Sequence, residues 1–292
     1  MINDVLVPGL VFGSLYALVA VGLTVLYRPT RVLNFAQGDL VMLGAMTMAA
    51  LTATAALPWP VAAACAATAV AAVALVEERV AVAPVLRRGD RGVGWVITTL
   101  AFSLVLNQLV GRLWTDEPRG IDPPAPLSLD TLTVAGVRFN SYQLAVVLVA
   151  LCVVVALEAH SRTRTGCAIR AAAADRDAAR LRGIDPGRLG RLSFLLGGAL
   201  AGLTGVLAAP LTLASVTMGF GLLVKGFFAA VIGGIGDFRG ALLGGWTVGV
   251  IEAAGATFVS PGLQTTVLFA ATLAILMIRP EGLRGSGVAR RV

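Results

Sequence analysis

The sequence predicts an all-α membrane protein, a polytopic bundle of eight to ten transmembrane helices with nine the preferred number, and three observations carry that reading. Long uncharged stretches run from Val5 to Tyr27, Leu40 to Val76, Gly92 to Gly111, Phe139 to Leu157, Leu192 to Val224 and Ala253 to Ile278. A helix needs about 20 residues to cross the hydrocarbon core of a bilayer. Composition agrees: 57% hydrophobic and 13% charged residues, with a mean hydropathy of +0.86, leave too little polar surface to cover a soluble globule of 292 residues. Finally, the basic residues gather in a few short segments between the apolar runs.

Two of the apolar runs are too long for one crossing. Pro58-Trp59-Pro60 divides the first, with Trp59 suited to an interface, and Pro210 divides the second. From Gly219 to Gly249 the boundaries blur, because Lys225, Asp237 and Arg239 interrupt the run and glycines are spread along its whole length. Gly233 to Gly245 points to a broken or re-entrant segment whose backbone is satisfied by protein or cavity water. The glycines and alanines of 197–208 supply narrow faces on which neighbouring helices can approach.

Sidedness follows from the distribution of charge. Between His160 and Arg191 there are eight arginines against three aspartates, which places that loop in the cytoplasm. The segment 112–138 is acidic and proline-rich and is expected outside. Counting from these anchors puts the turn at Arg28 to Arg31 and the loop from Arg79 to Arg91 inside. The amino terminus falls outside and the basic tail, with Arg279, Arg284, Arg290 and Arg291, inside. The chain reads as one transmembrane domain, and its first apolar run, with no basic region before it, as a retained helix. The net charge of +7 lies almost wholly in inside segments, so orientation explains it without nucleic acid.

Several chemistries are disfavoured. The one lysine, Lys225, is neither preceded by a glycine-rich phosphate loop nor followed by Ser or Thr, so ATP is not expected to bind here in that manner. Any ATPase is then a partner subunit. His160, at a helix end near Glu158, has no companion nucleophile. Cys65, Cys152 and Cys167 show no paired spacing, so neither metal nor disulfide is expected.

Three sets of residues remain as site candidates. The first is the cytoplasmic stretch from Gly166 to Gly183, read as one alanine-rich surface helix. Gly183 suits the left-handed position past its end, Ile184 packs back on the last turn, and Asp185 caps a following helix that starts with Pro186. It is either a plain connector or a docking helix, in which small residues at Ala174, Ala178 and Ala179 admit a partner's cleft and the arginines anchor its rim. In the second set, Asn34 is placed to cap a helix with Gln37, three residues on, reaching back to its backbone amide as a capping box; Gly38 and Asp39 complete this polar turn. The third comprises Lys225 and Glu252, the ionisable residues deepest in the second half. A pair between them lowers the cost of burial, but Lys225 can equally extend its amine to water at the outer interface.

Gly166-x3-Arg170-Ala, Ala174-Asp175, Ala178-Ala179 and Leu181-x-Gly183-Ile184 resemble the ATPase-coupling loop of the branched-chain amino acid importer permeases, the LivH family. Further blocks extend the resemblance over most of the chain: Gly13-Ser14-Leu15-Tyr16-Ala17-Leu18, Asn34-Phe35-Ala36-Gln37-Gly38-Asp39, Ser193-Phe194 to Gly205-Val206-Leu207, and Lys225-Gly226-Phe227 through Gly233-Gly234-Ile235-Gly236 to Gly244-Gly245. Gln37 and Asp39 stand where many relatives have His and Glu, and Gly226 where Ala is frequent. The segment 112–138 carries no family pattern. The resemblance implies a permease without cofactor that pairs with a second, LivM-like permease. Two ATPase subunits dock inside and hydrolyse the ATP, and an extracytoplasmic binding protein delivers a branched-chain or related amino acid. It also implies that Asn34 to Asp39 shape the route or its inner gate. A secondary transporter or channel acting alone is the rival from another class; it should show charged relays or inverted halves in the membrane, and neither is evident.

Overall fold

Helix is the only regular structure that satisfies its own backbone without help from a neighbour, which is why apolar runs of this length fold as helices. The computed structural model describes residues 2–55, 57–87, 94–114, 117–134, 137–260, 262–279 and 282–284. In order these form α1 (Ile2–Thr30), α2 (Gln37–Thr54), α3 (Trp59–Glu77), a π-helical turn (Glu78–Val82), α4 (Ala83–Arg87), α5 (Gly94–Leu113), β1 (Leu132–Val134), β2 (Val137–Phe139), α6 (Ser141–Ser161), α7 (Arg164–Ala174), α8 (Arg176–Leu181), α9 (Pro186–Thr212), α10 (Met218–Gly233), α11 (Phe238–Phe258) and α12 (Gln264–Ile278). The strands pair antiparallel as a two-stranded sheet within the segment expected outside, so the otherwise all-α architecture of the described residues carries a short β element.

Among the described residues, six helical stretches are long and apolar enough to cross a membrane: Asn3–Thr30, Trp59–Leu86, Gly94–Leu113, Ser141–Ser161, Pro186–Thr212 and Phe238–Phe258. Three further apolar helices, α2, α10 and α12, are shorter, at 18, 16 and 15 residues. A 16-residue helix is about 24 Å long, less than the roughly 30 Å hydrocarbon core.

Several boundaries differ from expectation. Pro210 does not end α9; it lies inside the last turn, where its missing N–H removes one helical bond, and the chain turns three residues on at Leu213, whose φ is +62°. Arg79 sits inside the π-helical turn rather than in a loop, because α3 runs on into α4. Arg88, Arg91, Asp116, Arg290 and Arg291, used in the charge reading, lie outside the described residues. The glycine-rich segment forms two helices, α10 and α11, joined by a turn in which Gly234 and Gly236 take φ of +97° and +101°. These conformations favour glycine.

The described chain divides into two compact units, with the divisions falling inside α1, α6 and α10. In the unit comprising Val25–Pro124 and Ala159–Leu223, α9 packs on both α2 and α3. A Cβ on Gly44 of α2 would lie 2.7 Å from the carbonyl oxygen of Gly202 in α9, and one on Gly202 would lie 2.7 Å from Cα of Ala67 in α3. In the unit comprising Met1–Thr24, Ala125–Glu158 and Val224–Val292, α1 packs on α11 in the same way, with Gly13 facing the backbone of Gly245 and Trp246. Lipid is as apolar as leucine, so association here depends on van der Waals contact and interhelical hydrogen bonds, and small residues bring backbones close enough for both. By contrast α5 and α6 present large apolar side chains outward, among them Ile97, Leu104, Leu148 and Val155.

Gly44→Val drives two branches into the backbone of α9. Overpacking of about 1–3 kcal/mol or more follows, read as a lower melting temperature and aggregated material on size exclusion in detergent. Gly221→Ala, where nothing lies within 4 Å of the added Cβ, leaves both unchanged.

Candidate functional site

The polar turn before α2 belongs to the unit containing α3 and α9. Asn34 is buried, yet it does not form the expected capping box. Gln37 is itself the first residue of α2, so the cap position falls on Ala36, which makes no side-chain cap. Asn34 instead accepts a 2.8 Å bond from the Ala36 amide through Oδ1 and donates through Nδ2 to Glu77 Oε2 of α3 at 3.0 Å. The Gln37 side chain donates through Nε2, at 3.3 Å, to the carbonyl of Gly197 in α9. Two turn residues therefore tie α2 to two different helices.

Asp39, one residue beyond Gly38, accepts from Ser103 Oγ and, at 3.1 Å, from Asn107 Nδ2, both on α5. Asn107 Nδ2 also lies 3.2 Å from the carbonyl of Val216, in the connection between α9 and α10. Gly38 permits the approach of Gly219, at the start of α10; a Cβ on Gly38 would lie 2.7 Å from Leu223 Cβ. The result is a line of buried polar groups, Glu77, Asn34, Gln37 and Asp39, inside an otherwise apolar packing. Glu77 Oε1 and Gln37 Oε1 are buried with no partner among the described residues. Glu77 immediately precedes the π-helical turn, a local widening of the helix common at functional positions.

Lys225 and Glu252 belong to the other unit, and there they meet. Lys225 Nζ lies 2.5 Å from Glu252 Oε1 and 3.2 Å from the hydroxyl of Tyr16, which donates 2.7 Å to Glu252 Oε2. The ammonium also lies 5.3 Å from the Tyr16 ring centroid. Of the two readings left open for Lys225, the pair is the one present. With side-chain exposures of 24% and 12%, it is largely withdrawn from solvent. Six residues earlier in α11, Trp246 Nε1 donates 3.0 Å to Ser14 Oγ, a second bond between α11 and α1.

The arginine-rich stretch is two helices rather than one. Asp175 leaves the helical region (φ −151°, ψ 114°) and its carboxylate accepts from the amides of Asp177 and Ala178 at 2.9 and 3.0 Å. Aspartate is a poor interior residue and a strong N-cap, so the chain breaks where it stands and restarts. Thr163 caps α7 by accepting from the amide of Gly166, and Arg170 donates to the carbonyl of Ser161. At the far end Gly183 takes φ +76°, its amide bonds Arg180 O, and Ile184 N bonds Ala179 O at 3.0 Å, a complete Schellman motif. Asp185 then caps α9 ahead of Pro186. Ala172, Ala179 and Leu189 form a small buried cluster with Ile184 against it, while Ala174, Asp175, Ala178 and Leu181 face outward. Leu181 is 91% exposed, an apolar side chain projecting from a polar surface.

Sequence reasoning missed Tyr16, Glu77, Ser103 and Asn107. Tyr16 was visible only as part of a family block, and Glu77 stood at the edge of an apolar run, next to Glu78, where a loop was expected to begin.

A helical integral membrane protein with buried polar clusters between its helices and a capped, outward-facing helix pair on its surface is the class these features define. The chain belongs to the family of the permease component of the branched-chain amino acid transport system, whose model matches residues 5–278. It is 33% identical to the high-affinity branched-chain amino acid transport system permease protein BraD of Pseudomonas aeruginosa, over 98% of this chain and 97% of that one. With the corresponding protein LivH of Escherichia coli K12 it shares 31% identity, over 97% and 96% of the two chains. A probable branched-chain amino acid transport permease protein LivH of Methanocaldococcus jannaschii is 27% identical, over 96% of this chain and 92% of that one. No solved structure gives a significant match.

The Lys225–Glu252 pair makes a sharp prediction. Lys225→Glu or Glu252→Lys alone buries two like charges and costs about 3 kcal/mol or more, with loss of folded protein or of transport. The double swap recovers both. A double variant no better than either single one removes the pair from the account.

Proposed function

We propose that this chain is the transmembrane permease subunit of an ATP-binding-cassette importer, carrying branched-chain or related amino acids across the bacterial cytoplasmic membrane by alternating access. It pairs with a second, related permease; two ATPase subunits dock on its cytoplasmic face and consume the ATP; an extracytoplasmic binding protein delivers the substrate. Nucleotide and substrate favour different states of the assembly, and that difference drives the cycle without a covalent step on this chain.

The observation that carries the reading is the α7–α8 pair. Both helices are capped, α8 ends in a Schellman motif, and the pair stands directly between α6 and α9. A partner gripping Leu181 and the exposed alanines therefore pulls on helices rather than on a loose loop. Nine crossings fit best, with α2, α10 and α12 as short spans, and parity then puts the amino terminus outside and the carboxyl terminus inside. Ion pairs support this sidedness: Arg239 lies 3.3 Å from Glu158 near the end of α6, and Arg284, beyond α12, lies 3.5 Å from Asp237 in the α10–α11 turn. These pairs gather the end of α6, that turn and the tail at one end, the end where the arginine-rich stretch begins.

Leu181→Glu leaves the folded chain intact, because that side chain touches solvent, but abolishes co-purification of the ATPase subunits and substrate-stimulated ATP hydrolysis. Unchanged ATPase recovery from Leu181→Glu and from Ala178→Trp counts against docking at this face.

A further inference from the structure

The residue immediately after α1 is an arginine in a backbone conformation that suits glycine. Arg31 has φ +60°, and its amide bonds the carbonyl of Tyr27 at 2.8 Å, the closing bond of a left-handed helix cap. A Cβ in this conformation crowds the carbonyl that follows, so a residue other than glycine stays there only where its surroundings hold it. Both neighbours do so. Thr30 Oγ1 donates to the carbonyl of Leu26 and accepts from the amide of Val32 at 3.1 Å, and Val32 is buried with Leu26, Ala81, Val82 and Phe194.

The side chain shows what arginine adds at this position. Its guanidinium lies 5.5 Å from the ring centroid of Tyr27, and Nη2 donates at 3.3 Å to the carbonyl of Ala173 in α7, 142 residues away in sequence. That carbonyl belongs to the last turn of α7, where the helix has no further amides of its own to offer and the negative end of its dipole lies. A cation brought from another segment meets both needs. Tyr27, Arg31, Ala173 and the polar turn before α2 all belong to one compact unit.

The place of this contact in the chain gives it a use. α7 opens the helix pair proposed to receive an ATPase subunit, and Arg31 stands three residues before Asn34, which with Gln37 ties the start of α2 to Glu77 and to Gly197. We infer that Arg31 is a positioning residue for transport, the joint through which displacement of α7 by a docked subunit biases the arrangement of the 34–39 turn. The inference rests on the permease reading for the source of the movement. The joint itself rests on the bond to Ala173, the contact with Tyr27 and the left-handed backbone. Coupling of this kind needs an element that both sites bias, and the α1–α2 turn is bonded on one side to α7 and on the other to α3 and α9.

Hydrogen exchange on the assembled transporter in nanodiscs, with and without ATP, reads the two ends of the joint separately. In the wild type, ATP is expected to change protection both in α7–α8 and at residues 31–37. In Arg31→Gln the change in α7–α8 persists, the change at 31–37 is lost, and leucine carried per ATP hydrolysed falls by about fivefold or more. Arg31→Lys keeps a cation beside the Ala173 carbonyl and recovers most of the coupling. Arg31→Gly separates coupling from folding: glycine suits φ +60°, so the melting temperature stays close to that of the wild type, yet transport per ATP falls as it does in Arg31→Gln. Wild-type coupling in both Arg31→Gln and Arg31→Gly, or a loss that only follows the amount of folded subunit, overturns the joint and leaves the permease reading standing. Absence of any ATP-dependent change in α7–α8 of the wild type, together with absence of ATP-driven uptake, overturns the permease reading and the joint with it.

Discussion

A polar group enclosed among apolar helices must find its partner on a neighbouring helix, because lipid provides none. The buried clusters of this chain follow from that constraint. Asp39 is met by Ser103 and Asn107, Glu77 by Asn34, and Glu252 by Lys225 and Tyr16. Each bond fixes the register of one helix against another more narrowly than apolar contact does, since sliding by a single turn leaves a buried charge without its donor. Glycine makes these meetings possible: α1 with α11, and α2 with α9, approach until backbone touches backbone.

The turn between α1 and α2 is held by Asn34 and Gln37, which reach to α3 and α9 through single hydrogen bonds. Two oxygens in this region, on Glu77 and Gln37, lack partners among the described residues, so the arrangement leaves bonding capacity that another geometry can use. On the surface, α7 and α8 are closed by caps at their boundaries and pinned by the small cluster of Ala172, Ala179 and Leu189. Ile184, bonded back to Ala179, and the Asp185 cap join the end of α8 directly to the start of α9.

Much of this was legible in the sequence because it is local. The Schellman ending at Gly183, the Asp185 cap and the Pro58 turn follow from residue types within a few positions of one another. The break at Asp175 was equally local but was overlooked, since the alanines on either side read as one continuous helix. The role of Asn34 was hidden for a different reason: its partner, Glu77, is 43 residues away, and only tertiary packing selects that bond over the nearby capping box. Glycine density likewise announced close approach without saying which helices would meet.

The central claim is that this chain conducts only as one part of an ATP-driven assembly. Reconstitution into liposomes tests it directly: the chain together with a second permease, two ATPase subunits and a binding protein should accumulate radiolabelled leucine, and omission of ATP or of the ATPases should stop uptake. Carriage of leucine by this chain alone, driven by its gradient or by an ion gradient, contradicts the account and makes the protein a self-sufficient transporter.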